Sequence, residues 1–185
     1  MRGYRGRRSG RPRPIRPLPP KPSHIPSDRH SSPGAKEIKF GCLNIRSLLN
    51  KVDDLLEMRR DRLIDVTFLV ETWTDAESVC LHRLRAEGFT VIDRSRPRNR
   101  DDTLATNHGG VAAIAMPGIR LSPLNIGAKP TTFELLCVRI TCGSSSCIAT
   151  VIYRPGSERV TSAFFDEISD VLDRLATFSD PVVLV

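Results

Sequence analysis

The 185-residue sequence predicts an α/β fold, on three observations. Residues 38–70 and 147–185 each read as a strand, a helix and a second strand. Between them run short apolar segments broken by glycine and proline, at strand length. Ahead of them, residues 1–36 show no apolar periodicity at all. The expected organisation is therefore a basic tail over 1–36 and one α/β domain over 37–185.

Charge divides at the same point. Residues 1–36 hold ten Lys or Arg against one acid, Asp28, and so carry +9. Residues 37–185 hold 18 basic and 20 acidic residues and carry −2. The formal +7 of the whole chain thus belongs to the tail. This segment also holds 8 of the 14 prolines, and its Arg–Pro–Gly–Ser composition buries too little apolar area to offset chain entropy. It is expected to be disordered. Such an arm binds phosphate backbones without reading sequence, so DNA is an expected partner and RNA a second one through the tail. The arm also fits a nuclear import signal, or a solvated extension with no selected role.

Several classes are excluded early. The longest apolar run is Val111–Met116, far short of the roughly 20 residues a membrane-spanning helix needs. The first 30 residues lack an apolar signal core. Five cysteines are an odd count for a disulfide framework, so they read as reduced thiols of an intracellular protein. Cys137, Cys142 and Cys147 are evenly spaced but contain no CxxC pair, and packing is the expected role.

The elements follow in order. Ile38–Leu43 reads as a strand. Leu48, Leu49, Val52, Leu55 and Leu56 repeat at helical spacing over 47–62, with Ser47 as N-cap. Asp53 and Asp54 precede Arg59, Arg60 and Arg62, an order that suits the helix dipole. Asp65–Val70 is an apolar strand. Thr74 and Glu77 form a capping box for a second helix that Gly88 closes. Phe89–Ile92 is a third strand, followed by a loop with Arg94, Arg96, Arg98 and Arg100. Strand-like segments cover 111–116, 119–125, 132–141 and 147–153. Val160, Phe164, Ile168, Val171, Leu172 and Leu175 share one face of a helix over 160–177. Val182–Val185 is a last apolar strand.

Both crossovers are long enough to join parallel strands, and in such units ligands bind beyond the carboxyl ends of the strands. The residues there are Asn44, then Glu71-Thr72-Trp73, then Tyr153-Arg154-Pro155-Gly156. The geometry gathers Asn44, Glu71 and Tyr153 along one rim. A carboxylate at the end of an apolar strand needs a cation or a hydrogen-bond partner. Glu71 is a candidate Mg²⁺ ligand, because this ion is often held by one or two carboxylates with water and phosphate completing the shell. An Asn amide beside it can orient a metal water or phosphate oxygen, and a Tyr hydroxyl can donate to the phosphate. Taken singly, such a Glu equally serves as a surface or capping residue, and such a Tyr as packing. Arg94, Arg96, Arg98, Arg100 and Arg154 are candidate backbone contacts, with a solvated loop as the other reading of the first four.

The ordered set of motifs is more specific. Cys42-Leu43-Asn44-Ile45-Arg46-Ser47-Leu48, the Lys51-x-Asp53-x-Leu55 helix, Val70-Glu71-Thr72-Trp73, His108-Gly109-Gly110-Val111, Ile152-Tyr153-Arg154-Pro155, Phe164-Phe165-Asp166-Glu167 and Pro181-Val182-Val183 resemble the endonuclease/exonuclease/phosphatase superfamily. The wording is most similar to the apurinic-endonuclease-like domain of LINE-type (non-LTR) retrotransposon polyproteins, over residues 37–185. The resemblance implies the N-terminal portion of a four-layer α/β/β/α sandwich and a Mg²⁺- or Mn²⁺-dependent DNA endonuclease that nicks target DNA to prime reverse transcription. It implies metal binding by Glu71, with Asn44 supporting the metal and phosphate site, and contact of Tyr153 with the scissile phosphate. Gly156 stands where the family usually has Asn. The family's Gly-Asp-x-Asn motif is expected directly after Val185, and its Ser-Asp-His segment later still. None of the four histidines matches the family's catalytic one by position. The expectation is therefore an N-terminal part, inactive alone, that needs a C-terminal half or downstream polyprotein domains. The alternatives are a non-catalytic nucleic-acid-binding remnant acting through the tail, and a phosphatase-type member acting on lipid head groups.

Overall fold

The computed structural model describes residues 37–75, 78–96, 108–156 and 159–185. The tail, Glu77, Arg98 and Arg100 lie outside them. Eleven elements occur among the described residues: β1 (Phe40–Asn44), α1 (Val52–Arg62), β2 (Val66–Val70), α2 (Val79–Ala86), β3 (Thr90–Arg94), β4 (Val111–Ala115), β5 (Arg120–Pro123), β6 (Glu134–Cys142), β7 (Ser145–Tyr153), α3 (Ser162–Leu175) and β8 (Val182–Leu184). They form two four-stranded sheets, ordered β1-β2-β4-β3 and β5-β6-β7-β8.

Both expected crossovers are present. β1 and β2 pair in parallel across α1, and β7 and β8 pair in parallel across α3. Strand alternation then sets the layers. Val66, Phe68 and Val70 of β2, with Val111, Ala113 and Ala115 of β4, face Leu136, Val138 and Ile140 of β6 and Ala149 and Val151 of β7. The opposite face of the first sheet, with Leu69, Ala112 and Ile114, is covered by Val52 and Leu55 of α1 and Leu81 and Leu84 of α2. The opposite face of the second sheet, with Leu135, Cys137 and Ile148, is covered by Val171 and Leu175 of α3. Helices, sheet, sheet and helix make four layers.

Two helix starts differ from expectation. α1 begins at Val52 rather than at Ser47, and Lys51 occupies its N-cap. Ser47 instead lies in the left-handed region at φ 80°. Its amide donates to the Glu71 carbonyl, and that of Leu48 to Thr72, so 45–48 continues the pairing of β1 with β2. The Thr74 capping box does not form either. Thr74 is buried and its hydroxyl pairs with that of Thr72, while α2 starts at Val79 with Ser78 at the N-cap. Gly88, at φ 88°, does close α2. The third helix, expected over 160–177, spans Ser162–Leu175, so Val160 precedes it and is exposed; Leu172 is exposed too, leaving Val171 and Leu175 as the buried anchors of α3.

The cysteines pack. Cys142 and Cys147 lie against the core between the sheets, and Cys137 lies on the α3 side. Burial pushes the Cys137 thiol up, which makes it a poor metal ligand.

α3 is tied to the segment just before β6 through one carboxylate. Glu167 accepts the amides of Thr131 (2.8 Å) and Thr132 (2.9 Å) and both of their hydroxyls (2.7 and 2.6 Å). Burial works to raise its pKa, but the Thr132 and Thr131 donors outweigh it and hold it at about 2. A carboxylate depressed in the fold stabilises above its unfolded pKa, and that stability is lost as pH falls toward the folded one. Glu167→Gln should therefore lose about 1–2 kcal/mol at neutral pH, after allowance for solvent screening. The difference from wild type should shrink between about pH 4.5 and pH 2. Urea melts across that range check this; a constant difference would contradict it.

Candidate functional site

Parallel pairing puts Asn44 in register with Val70, so Asn44 and Glu71 emerge at the same end of the first sheet. β7 ends at Tyr153 in the second sheet, and its ring packs on the core between the sheets. The Tyr153 hydroxyl donates to Glu71 Oε1 across the seam. The Asn44 side chain also hydrogen-bonds the Glu71 carboxylate, and Asn44 Oδ1 accepts the Arg46 amide at 3.2 Å. The three expected rim residues therefore meet.

The electrostatics follow from those contacts. The Tyr153 hydroxyl holds the Glu71 carboxyl below the usual carboxylate range, with help from Asn44 and the charges of Arg46 and Arg96. Arg46 Nε lies 4.0 Å from Glu71 Oε2, on a side chain 79% exposed. Burial, the Glu71 contact and the charges of Glu71 and Glu134 push the Tyr153 hydroxyl up to about 12, so it stays a proton donor at neutral pH. Glu71 is thus an ionised carboxylate flanked by an amide and a phenol.

The backbone here is unusual. Arg46, Ser47, Glu71 and Trp73 all have positive φ, and Leu63 is the one further non-glycine case among the described residues. Such conformations cost of order 1–3 kcal/mol each and persist where surrounding contacts impose them. The contacts are the Ser47 and Leu48 bonds to 71–72, and the Thr72 and Trp73 amides donating to the carbonyls of Gly110 (3.2 Å) and Gly109 (2.8 Å). Trp73 stacks on His108 with ring centroids 4.3 Å apart.

Of the candidate arginines, the three among the described residues are engaged within the fold. Arg94 Nη1 donates to the Leu135 carbonyl at 2.9 Å. Arg96 pairs with Glu134. Arg154 donates to the Pro155 carbonyl and lies 5.7 Å over the Phe164 ring, toward α3.

Sequence reasoning missed Glu134. It opens β6 directly opposite Tyr153. The hairpin turn at Gly143–Ser144 carries that signal: counting back from a two-residue turn places Glu134 beside Tyr153. The expected strands stopped short of this turn, whereas β6 runs to Cys142 and β7 starts at Ser145.

No family model matches the sequence, and no curated protein matches it. Solved structures do match by fold. The human Nocturnin catalytic domain superposes with a TM-score of 0.56 at 17% identity, covering 77% of this chain and 60% of that one. The 3′ phosphatase NExo from Neisseria, bound to a product DNA hairpin, gives 0.51 at 15% identity, over 80% of this chain and 56% of that one. The endonuclease domain of TRAS1, a telomere-specific non-LTR retrotransposon, gives 0.51 at 12% identity, over 77% and 55%. The chain thus spans between 55% and 60% of the length of these three proteins.

Proposed function

We propose that this chain, which carries the fold of the endonuclease/exonuclease/phosphatase superfamily, supplies the metal carboxylate and phosphate-facing rim of a divalent-metal-dependent phosphodiesterase acting on DNA. One observation carries the reading: Glu71, Asn44 and Tyr153, from three strand ends and two sheets, converge with Glu71 ionised. One carboxylate and one amide oxygen suit Mg²⁺ or Mn²⁺, which keep water and take substrate phosphate for the remaining positions. Glu71 and Asn44 would hold the ion. Bound there, it would act as a Lewis acid on a phosphoryl oxygen. Tyr153 retains its proton and can turn it from Glu71 to a phosphate oxygen. Arg46 adds a cation beside the carboxylate.

The motif wording favours a retrotransposon-type endonuclease, and the DNA hairpin on NExo supports a nucleic-acid substrate. The reading includes weak activity for these 185 residues alone. His82 lies on α2, His108 lies against Trp73, and His24 and His30 fall outside the described residues. None matches the family's catalytic histidine by position, and residues that act as a unit lose activity together.

Supercoiled-plasmid nicking with Mg²⁺, run beside Mn²⁺ titration, tests this. Metal binding that needs Glu71, with little nicking, is the expected result. Robust nicking lost in Glu71→Ala would overturn the claim of weak activity. No metal binding and no DNA affinity in residues 37–185 would overturn the reading as a whole.

The division of charge, +9 in 1–36 against −2 in 37–185, favours a second reading in which the tail alone binds nucleic acid. Removing 1–36 should then abolish both affinity and salt dependence. If about half the tail charge engages phosphates, the logarithmic salt slope falls by roughly 4 on deletion. A slope unchanged by deletion would place binding on the folded part.

A further inference from the structure

Two glycines and one ion pair lie just behind the rim. Gly110 donates its amide to Glu134 Oε2 at 2.6 Å. Glu134 Oε1 accepts Arg96 Nε at 2.6 Å and Nη2 at 2.5 Å. Gly109 and Gly110 have φ of 94° and 89°. A Cβ on Gly109 would collide with Glu134 Oε1 and the Arg96 guanidinium, and one on Gly110 would meet Thr72 Oγ1 at 2.6 Å. The pair is therefore glycine because the carboxylate presses on one side and the Glu71 loop on the other. From Gly110 and Gly109 the bonds continue to the Thr72 and Trp73 amides, immediately after Glu71.

We propose that Glu134, paired with Arg96, is a positioning residue: it clasps the Gly109–Gly110 turn and through it fixes the left-handed backbone of Glu71 and Trp73. It does this from the second sheet, so the clasp also locks the two sheets together at the seam where Tyr153 reaches Glu71. Its value to metal binding rests on the reading of Glu71 given above; the clasp itself does not.

Trp73 is the sole tryptophan and stands in the clasped loop, which gives a direct probe. In Glu134→Ala, hydrogen exchange at the Thr72 and Trp73 amides should rise about tenfold or more, well below the melting temperature. Acrylamide quenching of Trp73 should rise with it. Amides of the β7–β8 pair, such as Ile148 and Val185, should keep their wild-type rates. Glu134→Gln keeps an acceptor for Gly110 but loses the Arg96 charge pair, so it should fall between Ala and wild type. If the Ala variant does not fold, the Gln variant carries the test on the same readouts. Wild-type exchange at Thr72 and Trp73 in a folded variant would overturn the clasp, as would uniform acceleration of every amide. A Mn²⁺ titration separates the two proposals. Weaker binding in step with Trp73 release supports the link to Glu71. No Mn²⁺ binding by the wild type would overturn the metal reading alone, since the clasp stands or falls on Thr72 and Trp73.

Discussion

Glu71→Gln is expected to weaken Mn²⁺ binding by about 100-fold or more. Gln has nearly the shape of Glu, so it can still accept from Tyr153 and approach Asn44, and the loop keeps its Gly109 and Gly110 bonds. Only the negative charge is lost. Changes to residues that merely support a metal ligand typically weaken affinity 10- to 100-fold, so removing the charged ligand itself should exceed that range. Among the described residues no group of three or more His, Cys, Asp or Glu forms an alternative cage. Tyr153→Phe should cost less, about tenfold, because the phenol orients the carboxylate without providing charge. Calorimetric titration at low ionic strength measures all three proteins. Equal Mn²⁺ affinity in wild type and Glu71→Gln would remove Glu71 from any metal role.

Some of this site is readable in the sequence alone. Asn44, Glu71 and Tyr153 could be singled out because each ends an apolar strand, and two parallel crossovers bring such ends to one side. The face-to-face stacking of the two sheets was not in the periodicity, and came only with the family resemblance. Cap chemistry misled at Ser47 and Thr74. Both residue types favour helix starts, but here their segments are committed to pairing at the rim, where Ser47 and Leu48 bond to 71–72 and Thr74 to Thr72. Local propensity gave way to that pairing, as sequence rules tend to fail where strain concentrates. Glu134 needed the register of a hairpin and a partner arriving from a loop 38 residues earlier, which no local pattern contains. Arg59 was lost for a different reason. Grouping it with Arg60 and Arg62 as dipole-compensating charge ignored that Val52, Leu55 and Arg59 lie on one helical face.

Arg59 accordingly supplies the largest expected stability change. It is 2% exposed, and among the described residues it is the one charged side chain in the buried core. Its Nη1 donates to the Ile114 carbonyl at 3.0 Å and its Nη2 to the Asp65 carbonyl at 3.1 Å, while the guanidinium lies 4.9 Å from the Phe89 ring centroid. The side chain thus joins α1 to the end of β4 and to the turn before β2. Burial lowers its pKa to about 10, partly offset by Asp65, so it remains charged at neutral pH. Arg59→Ala should destabilise by about 3–5 kcal/mol, since two acceptors lose their donor and the aliphatic stem leaves a void. For a domain of this size that is a fall in melting temperature of about 10 °C or more. Arg60→Ala, on the exposed side of the same turn, should stay within about 0.5 kcal/mol of wild type. Arg59→Met separates the two contributions, because it fills most of the volume but offers no donor. If the hydrogen bonds dominate, Met should melt close to Ala. If Met instead melts at or above wild type, the burial of the guanidinium is a net cost that packing alone can replace, and the anchoring role of Arg59 fails.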